Sequence, residues 1–270
     1  MEFKEIIYTK ADGVGTITLN RPQALNALTF VMIDEWVAAI EDAKRDKDVK
    51  VLVVTGAGRG FCAGADVKAM NRQDERSLTL LDQGVAEQMT LGRFGIQRIP
   101  RALKGLDKPY IAAVNGPAAG GGMDLASMAD IRIVSDRAKF GMTQMKMVGL
   151  SQDGGYYFLV RIVGIPRALE LCWTCRMFDA QEALQMGYAL KVVPHDELIP
   201  TTRDFAIQLA KGPSVAQQLV KRLIYRAHES TLEQCLEDVE WGMVIAQNSE
   251  DAREGPLAWA EKRAPHFKGR

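Results

Sequence analysis

The sequence predicts an α/β protein, with parallel strands joined by crossover helices in its first half and a mostly helical second half. Three observations carry this. Residues 51–55, 109–114 and 131–134 are short continuous apolar runs, the pattern of strands buried on both faces. Stretches of helical period separate them, and strand, helix, strand is the mark of right-handed βαβ units. After these runs, helical periods follow one another with a single short strand at 190–193.

Each element has its own signal. Val14–Leu19 alternates apolar and small polar residues and ends at Asn20-Arg21-Pro22. Residues 29–45 place Phe30, Ile33, Trp36, Val37 and Ile40 on one helical face, with Thr29 as a cap. A glycine-rich turn, 56–64, follows the first buried run. Residues 88–106 read as a helix, and 120–129 as a helix with a glycine-rich start. Helices are expected at 157–163, 167–175, 180–186, 199–211, 214–229 and 232–245.

Composition narrows the function. The 270 residues carry 34 basic and 34 acidic side chains, so no polybasic nucleic-acid surface or acidic tail is expected. No apolar run reaches the roughly 18 residues of a membrane span. The first residues resemble neither a secretory signal nor a transit peptide, so a cytoplasmic protein, or a mature form whose presequence is absent, is expected. Only three histidines and four cysteines occur, which leaves no ligand set for a metal and no histidine-based triad. Cys172-Trp173-Thr174-Cys175 reads as two positions of an apolar helix, because no second cysteine pair accompanies it.

Two glycine-rich turns remain. Gly60-Phe61-Cys62-Ala63-Gly64-Ala65-Asp66-Val67 follows one buried strand. Asn115-Gly116-Pro117-Ala118-Ala119-Gly120-Gly121-Gly122-Met123-Asp124 links another to a helix. A helix start leaves N–H donors unpaired, and two such turns from neighbouring strands can aim two N–H groups at one oxygen. Neither turn fits a P-loop or a dinucleotide fingerprint.

At these turns the sequence resembles the crotonase (enoyl-CoA hydratase/isomerase) superfamily. The likeness runs from Thr18-Leu19-Asn20-Arg21-Pro22 and Ala24-Leu25-Asn26-Ala27-Leu28 through Phe61 to Asp66 and Gly120-Gly121-Gly122. It continues through Ala129-Asp130-Ile131-Arg132 and Ala180-Gln181-Glu182-Ala183 to Glu261-Lys262-Arg263. It implies a ββα spiral core with the active site over 1–195 and a helical oligomerisation region over 196–270. It implies an acyl-CoA substrate, no further cofactor, no metal, no nucleic-acid or membrane partner, and a homotrimer or a hexamer made of two trimers. It places the oxyanion-hole N–H groups on Ala65 and Gly121. It places CoA contacts on Arg21, Ala24, Ala63, Gly64, Asp66 and Val67. The stretch 68–105 is expected to wall the acyl pocket, with 73–77 a mobile loop.

The departures bear on the chemistry. Hydratases of the family usually hold a water between two glutamates, one three residues after the second oxyanion glycine and one 20 residues later. Here those positions are Asp124 and Gln144, and an amide cannot transfer protons. Ser151-Gln152-Asp153-Gly154-Gly155 resembles the stretch where isomerases of the family place an aspartate. Asp124 and Asp153 are therefore the expected proton carriers, with Gln144 orienting a substrate oxygen or water. Hydration or double-bond isomerisation is the first expectation. A naphthoate-synthase-like or ring-cleaving C–C bond enzyme is the second, and a non-catalytic CoA-binding scaffold the third.

Overall fold

The computed structural model describes residues 2–66 and 93–270. Val67 and the loop expected at 73–77 lie outside the described residues. In chain order, the first elements are β1 (Ile6–Ala11), β2 (Val14–Leu19), α1 (Phe30–Arg45), β3 (Val51–Gly56), α2 (Arg98–Lys104) and β4 (Tyr110–Val114). Next come β5 (Ala118–Ala119), α3 (Gly121–Ser127), β6 (Ile131–Ser135), β7 (Lys139–Gly141), α4 (Gly155–Val163) and α5 (Ile165–Thr174). Then follow β8 (Phe178–Asp179), α6 (Ala180–Gln185), β9 (Lys191–Val193), α7 (Leu198–Ala210), α8 (Ser214–Ala227), α9 (Leu232–Gln247) and α10 (Asp251–Ala260).

Six strands form one sheet in the order β1-β2-β3-β4-β6-β9, parallel except for the β1–β2 hairpin. Every residue of β3 and β4 is buried, which is why those strands read as unbroken apolar runs. Trp36, Ile33 and Ile40 of α1 pack on one face of the sheet. Leu198 and Ala206 of α7 close the other face, against Val51, Val53, Ile111 and Ile133. A second sheet, β5-β7-β8, carries the chain from the end of β4 into α3.

The hairpin at the start was not anticipated. β1 is an edge strand with Ile6 alone buried, so its apolar alternation is weak. Its turn signal is Asp12-Gly13, where both residues take positive φ (53° and 77°), as a two-residue hairpin turn of the twisted kind demands. The helix expected over 88–106 is shorter in its described part, because a turn at 95–97 precedes α2. The last helix, α10, was also not expected; it contains Pro256 and takes its place through Asp251 and Ala258, both buried. All four cysteines are free, and Cys175 Sγ donates to the Cys172 carbonyl at the end of α5. No helix among the described residues is long and apolar enough to cross a membrane.

Candidate active site

The parallel strands end beside one another, and the two glycine-rich turns leave those ends as neighbours. Two buried asparagines fix the first turn. Asn26, at φ 55°, donates from Nδ2 to the carbonyls of Ala57, Gly60 and Phe61 and accepts the Arg21 N–H on Oδ1. Asn115 accepts the Gly56 N–H and donates to the carbonyls of Gly58 and Gly60. Buried loop backbone must find such partners. Both asparagines stand in the glycine-rich and family-like motifs of the sequence, and their bonding role appears only in the fold.

A short parallel bridge joins Leu28 to Ala65. The Leu28 N–H donates to Gly64 O (2.8 Å), and the Asp66 N–H donates to Leu28 O (3.3 Å). Residues 64 and 66 make those bonds, so the Ala65 N–H faces the opposite way. Gly64 lies on that side against the start of α3, with φ 86°. A Cβ on it would stand 2.8 Å from Ala119 O and 3.0 Å from Gly121 N. Only glycine fits there. Neither the Ala65 N–H nor the Gly121 N–H finds an acceptor among the described residues. The second is the first amide of a helix, which has no intrahelical acceptor to find.

Beside these amides lie two carboxyls. Asp124, in the first turn of α3, is 1% exposed, and Asp153, just before α4, is 3% exposed. Asp153 is on the amide side, since Gly121 approaches its Oδ2 closely enough that a Cβ there would stand 3.6 Å away. Asp124 Oδ2 accepts Gln144 Nε2 at 2.6 Å. Its Oδ1 is buried with no donor reaching it. Asp153 Oδ1 accepts the Ser151 hydroxyl (3.1 Å), and Ser151 Oγ in turn accepts the Gly155 N–H (2.8 Å) at the start of α4. The glycine at 155 is there because a Cβ would run into Asp124 Oδ1. The Asp153-Gly154-Gly155 sequence thus has a local packing cause.

Burial, together with the charge of Asp153, holds the Asp124 carboxyl well above the usual carboxylate range. Burial also raises Asp153, although its bonds to Asp124 and Ser151 work against the shift. Two buried carboxyls this close cannot both ionise, so the pair holds one proton between them.

Gln144 thus donates one amide N–H to Asp124, which leaves its Oε1 and its second N–H for a substrate oxygen or water. Ser151 was missed as a partner of Asp153. Its signal was its place two residues before an acid and four before a helix start. Arg21 braces the site. Its guanidinium donates to Ala27 O (2.6 Å) and Asp66 Oδ2 (3.1 Å) and lies 3.3 Å from Glu5 Oε1. Arg21 and Ala24 thus stand on the segment tied to Ala63, Gly64 and Asp66. Among the described residues no cluster of histidine, cysteine and acid side chains could hold a metal.

The enoyl-CoA hydratase/isomerase family model matches residues 9–270. The chain belongs to that family. It is an acyl-CoA-processing enzyme with the crotonase fold. It is 37% identical over 268 residues to a Mycobacterium bovis protein named as a probable enoyl-CoA hydratase, covering 99% of both chains. It is 36% identical over 270 residues to the 1,2-epoxyphenylacetyl-CoA isomerase of Escherichia coli, covering all of both. The enoyl-CoA hydratase structure from Bacillus anthracis superposes with a TM-score of 0.89 at 30% identity, over 99% of this chain and all of that one. Hydratase-named and isomerase-named relatives are about equally similar, so overall identity does not choose between the two reactions.

The shared proton has a consequence for stability. In the unfolded chain Asp124 ionises in the ordinary range; in the folded enzyme it does so only well above it. Folding therefore takes up a proton at neutral pH, so this contribution is largest at low pH and is lost as pH rises toward the raised value. Asp124→Asn is expected to flatten that dependence. Thermal unfolding at pH 8 should show the variant melting roughly 2–4 °C above the parent for each kcal/mol recovered, with the gap narrower at pH 5 and closed only below the ordinary carboxylate range.

Proposed function

We propose that this enzyme isomerises the double bond of an unsaturated acyl-CoA thioester, with Asp153 as the proton carrier. The supporting observation is the buried Asp124–Asp153 pair next to two backbone N–H groups that find no acceptor among the described residues. In this reading the thioester oxygen lies between the Ala65 and Gly121 amides. Asp153 takes the α-proton of a 3-enoyl thioester, and the electron pair moves onto that oxygen as a dienolate. Asp153 then returns the proton to the γ-carbon, the double bond shifts into conjugation, and the enzyme ends as it began. Asp124 holds the other proton and tunes its neighbour, while Gln144 anchors Asp124. Two-glutamate hydration needs a second carboxyl that exchanges protons, and position 144 supplies an amide, which cannot. The segments at Arg21 and Ala24 and at Ala63, Gly64 and Asp66 hold the CoA portion. Exposed Leu236, Trp241 and Ile245 on α9 and Trp259 on α10 support a homotrimer, alone or paired into a hexamer.

The test compares two reactions in one spectrometer. A 3-enoyl-CoA should gain conjugated thioester absorbance, with deuterium from D2O appearing in the product. Crotonyl-CoA should lose that absorbance at least a hundredfold more slowly. Faster crotonyl-CoA hydration, with no turnover of the 3-enoyl thioester, would sink the isomerase reading.

A further inference from the structure

The sequence and site leave one large feature unused. A cavity of about 770 Å3 is lined by Asp153 and Gly154, before α4, and by Met128 and Asp130, just after α3. Its walls come from α2, α4 and α8, with Leu103, Phe158 and Tyr225 among its apolar surfaces. Pockets of roughly 300–1,000 Å3 bury drug-sized ligands, so a four-carbon acyl tail fills a small part of this one.

The far wall is α8, held against the core by matched polar pairs. Lys221 Nζ donates to Asp130 Oδ2 (2.8 Å) and Lys108 O (2.9 Å). The Tyr225 hydroxyl donates to Asp130 Oδ1 (2.8 Å), and Arg222 is paired with Asp107. At the end of the same arm, Glu229 accepts the Tyr157 hydroxyl (2.6 Å) from α4. The half-buried Lys221 is thus spent on Asp130, and the exposed Arg222 on Asp107. Arg101, Lys104 and Arg226, none of which pairs with a lining carboxylate among the described residues, stand on the exposed rim. A carboxylate carried deep into the cavity would meet Asp130 and Asp107 without a spare cation.

We propose that this cavity is the acyl chamber and that it selects an uncharged acyl group of about eight carbons or the equivalent ring over a four-carbon one. The proposal rests on the reading of Asp153 as the proton carrier, which fixes the inner end of the chamber. Binding tests it apart from chemistry, by titration calorimetry of the full chain with butanoyl-CoA, octanoyl-CoA and octanedioyl-CoA.

Burying a methylene is worth about fourfold in affinity, and octanoyl carries four more than butanoyl. Octanoyl-CoA is expected to bind at least tenfold tighter than butanoyl-CoA and at least tenfold tighter than octanedioyl-CoA. Gln152→Trp, at an exposed lining position beside Asp153, is expected to cut the octanoyl preference at least fivefold. A parent preference below tenfold, a preference that survives Gln152→Trp, or octanedioyl-CoA binding as well as octanoyl-CoA overturns the proposal. A chain that binds octanoyl-CoA selectively yet moves no proton would instead overturn the isomerase reading and leave the chamber standing.

Discussion

Asp153→Asn should lower turnover of a 3-enoyl-CoA by about three orders of magnitude, the middle of the range for losing a positioned acid–base group, while acyl-CoA affinity stays within about threefold. The asparagine keeps the shape and still accepts the Ser151 hydroxyl, but it cannot carry a proton. Asp124 cannot take over, because it lies deeper, bonded to Gln144 and packed against Gly155. Calorimetry and steady-state kinetics on the same preparation separate the two quantities. Turnover within tenfold of the parent would mean that another group moves the proton. Weakened binding with an unchanged rate constant would mean that Asp153 serves affinity alone.

Gly64→Ala should cost a hundred- to a thousandfold in turnover, the usual penalty for spoiling one donor of an oxyanion hole. The new methyl would stand 2.8 Å from Ala119 O and 3.0 Å from Gly121 N, forcing apart the two turns whose amides must converge. Its backbone, at φ 86°, adds roughly 1–3 kcal/mol of strain. Gly187→Ala separates strain from chemistry. Gly187 also has positive φ (71°), but nothing lies within 4 Å of its added methyl. Both variants should melt at lower temperature, and Gly64→Ala alone should lose turnover per folded molecule. Equal losses in the two would reduce the effect to stability.

Much of this arrangement could be read in the residues. The buried strands showed themselves because burial on both faces leaves no polar alternation, as in β3 and β4. The convergence of Gly64, Gly121, Asp124 and Asp153 followed from the family likeness more than from spacing, since periodicity does not place two turns against each other. What stayed hidden depended on pairing across the chain. Ile6–Ala11 is an edge strand whose exposed face masks its period. The partner of Gln144 is 20 residues away and shows only once Asp124 is buried beside it. The chamber behind Asp153 is closed by α8 through Lys221 and Tyr225, about 70 residues further along, and no local pattern announces such a contact.

Two main-chain N–H groups are expected to polarise one thioester oxygen. Difference infrared spectroscopy with a 13C-labelled thioester carbonyl on octanoyl-CoA measures that polarisation in the bound state. The carbonyl stretch should move to lower wavenumber on binding to the parent enzyme, and most of the shift should disappear in Gly64→Ala. A bound carbonyl that absorbs where it does in free solution, with octanoyl-CoA at saturation, would contradict the account.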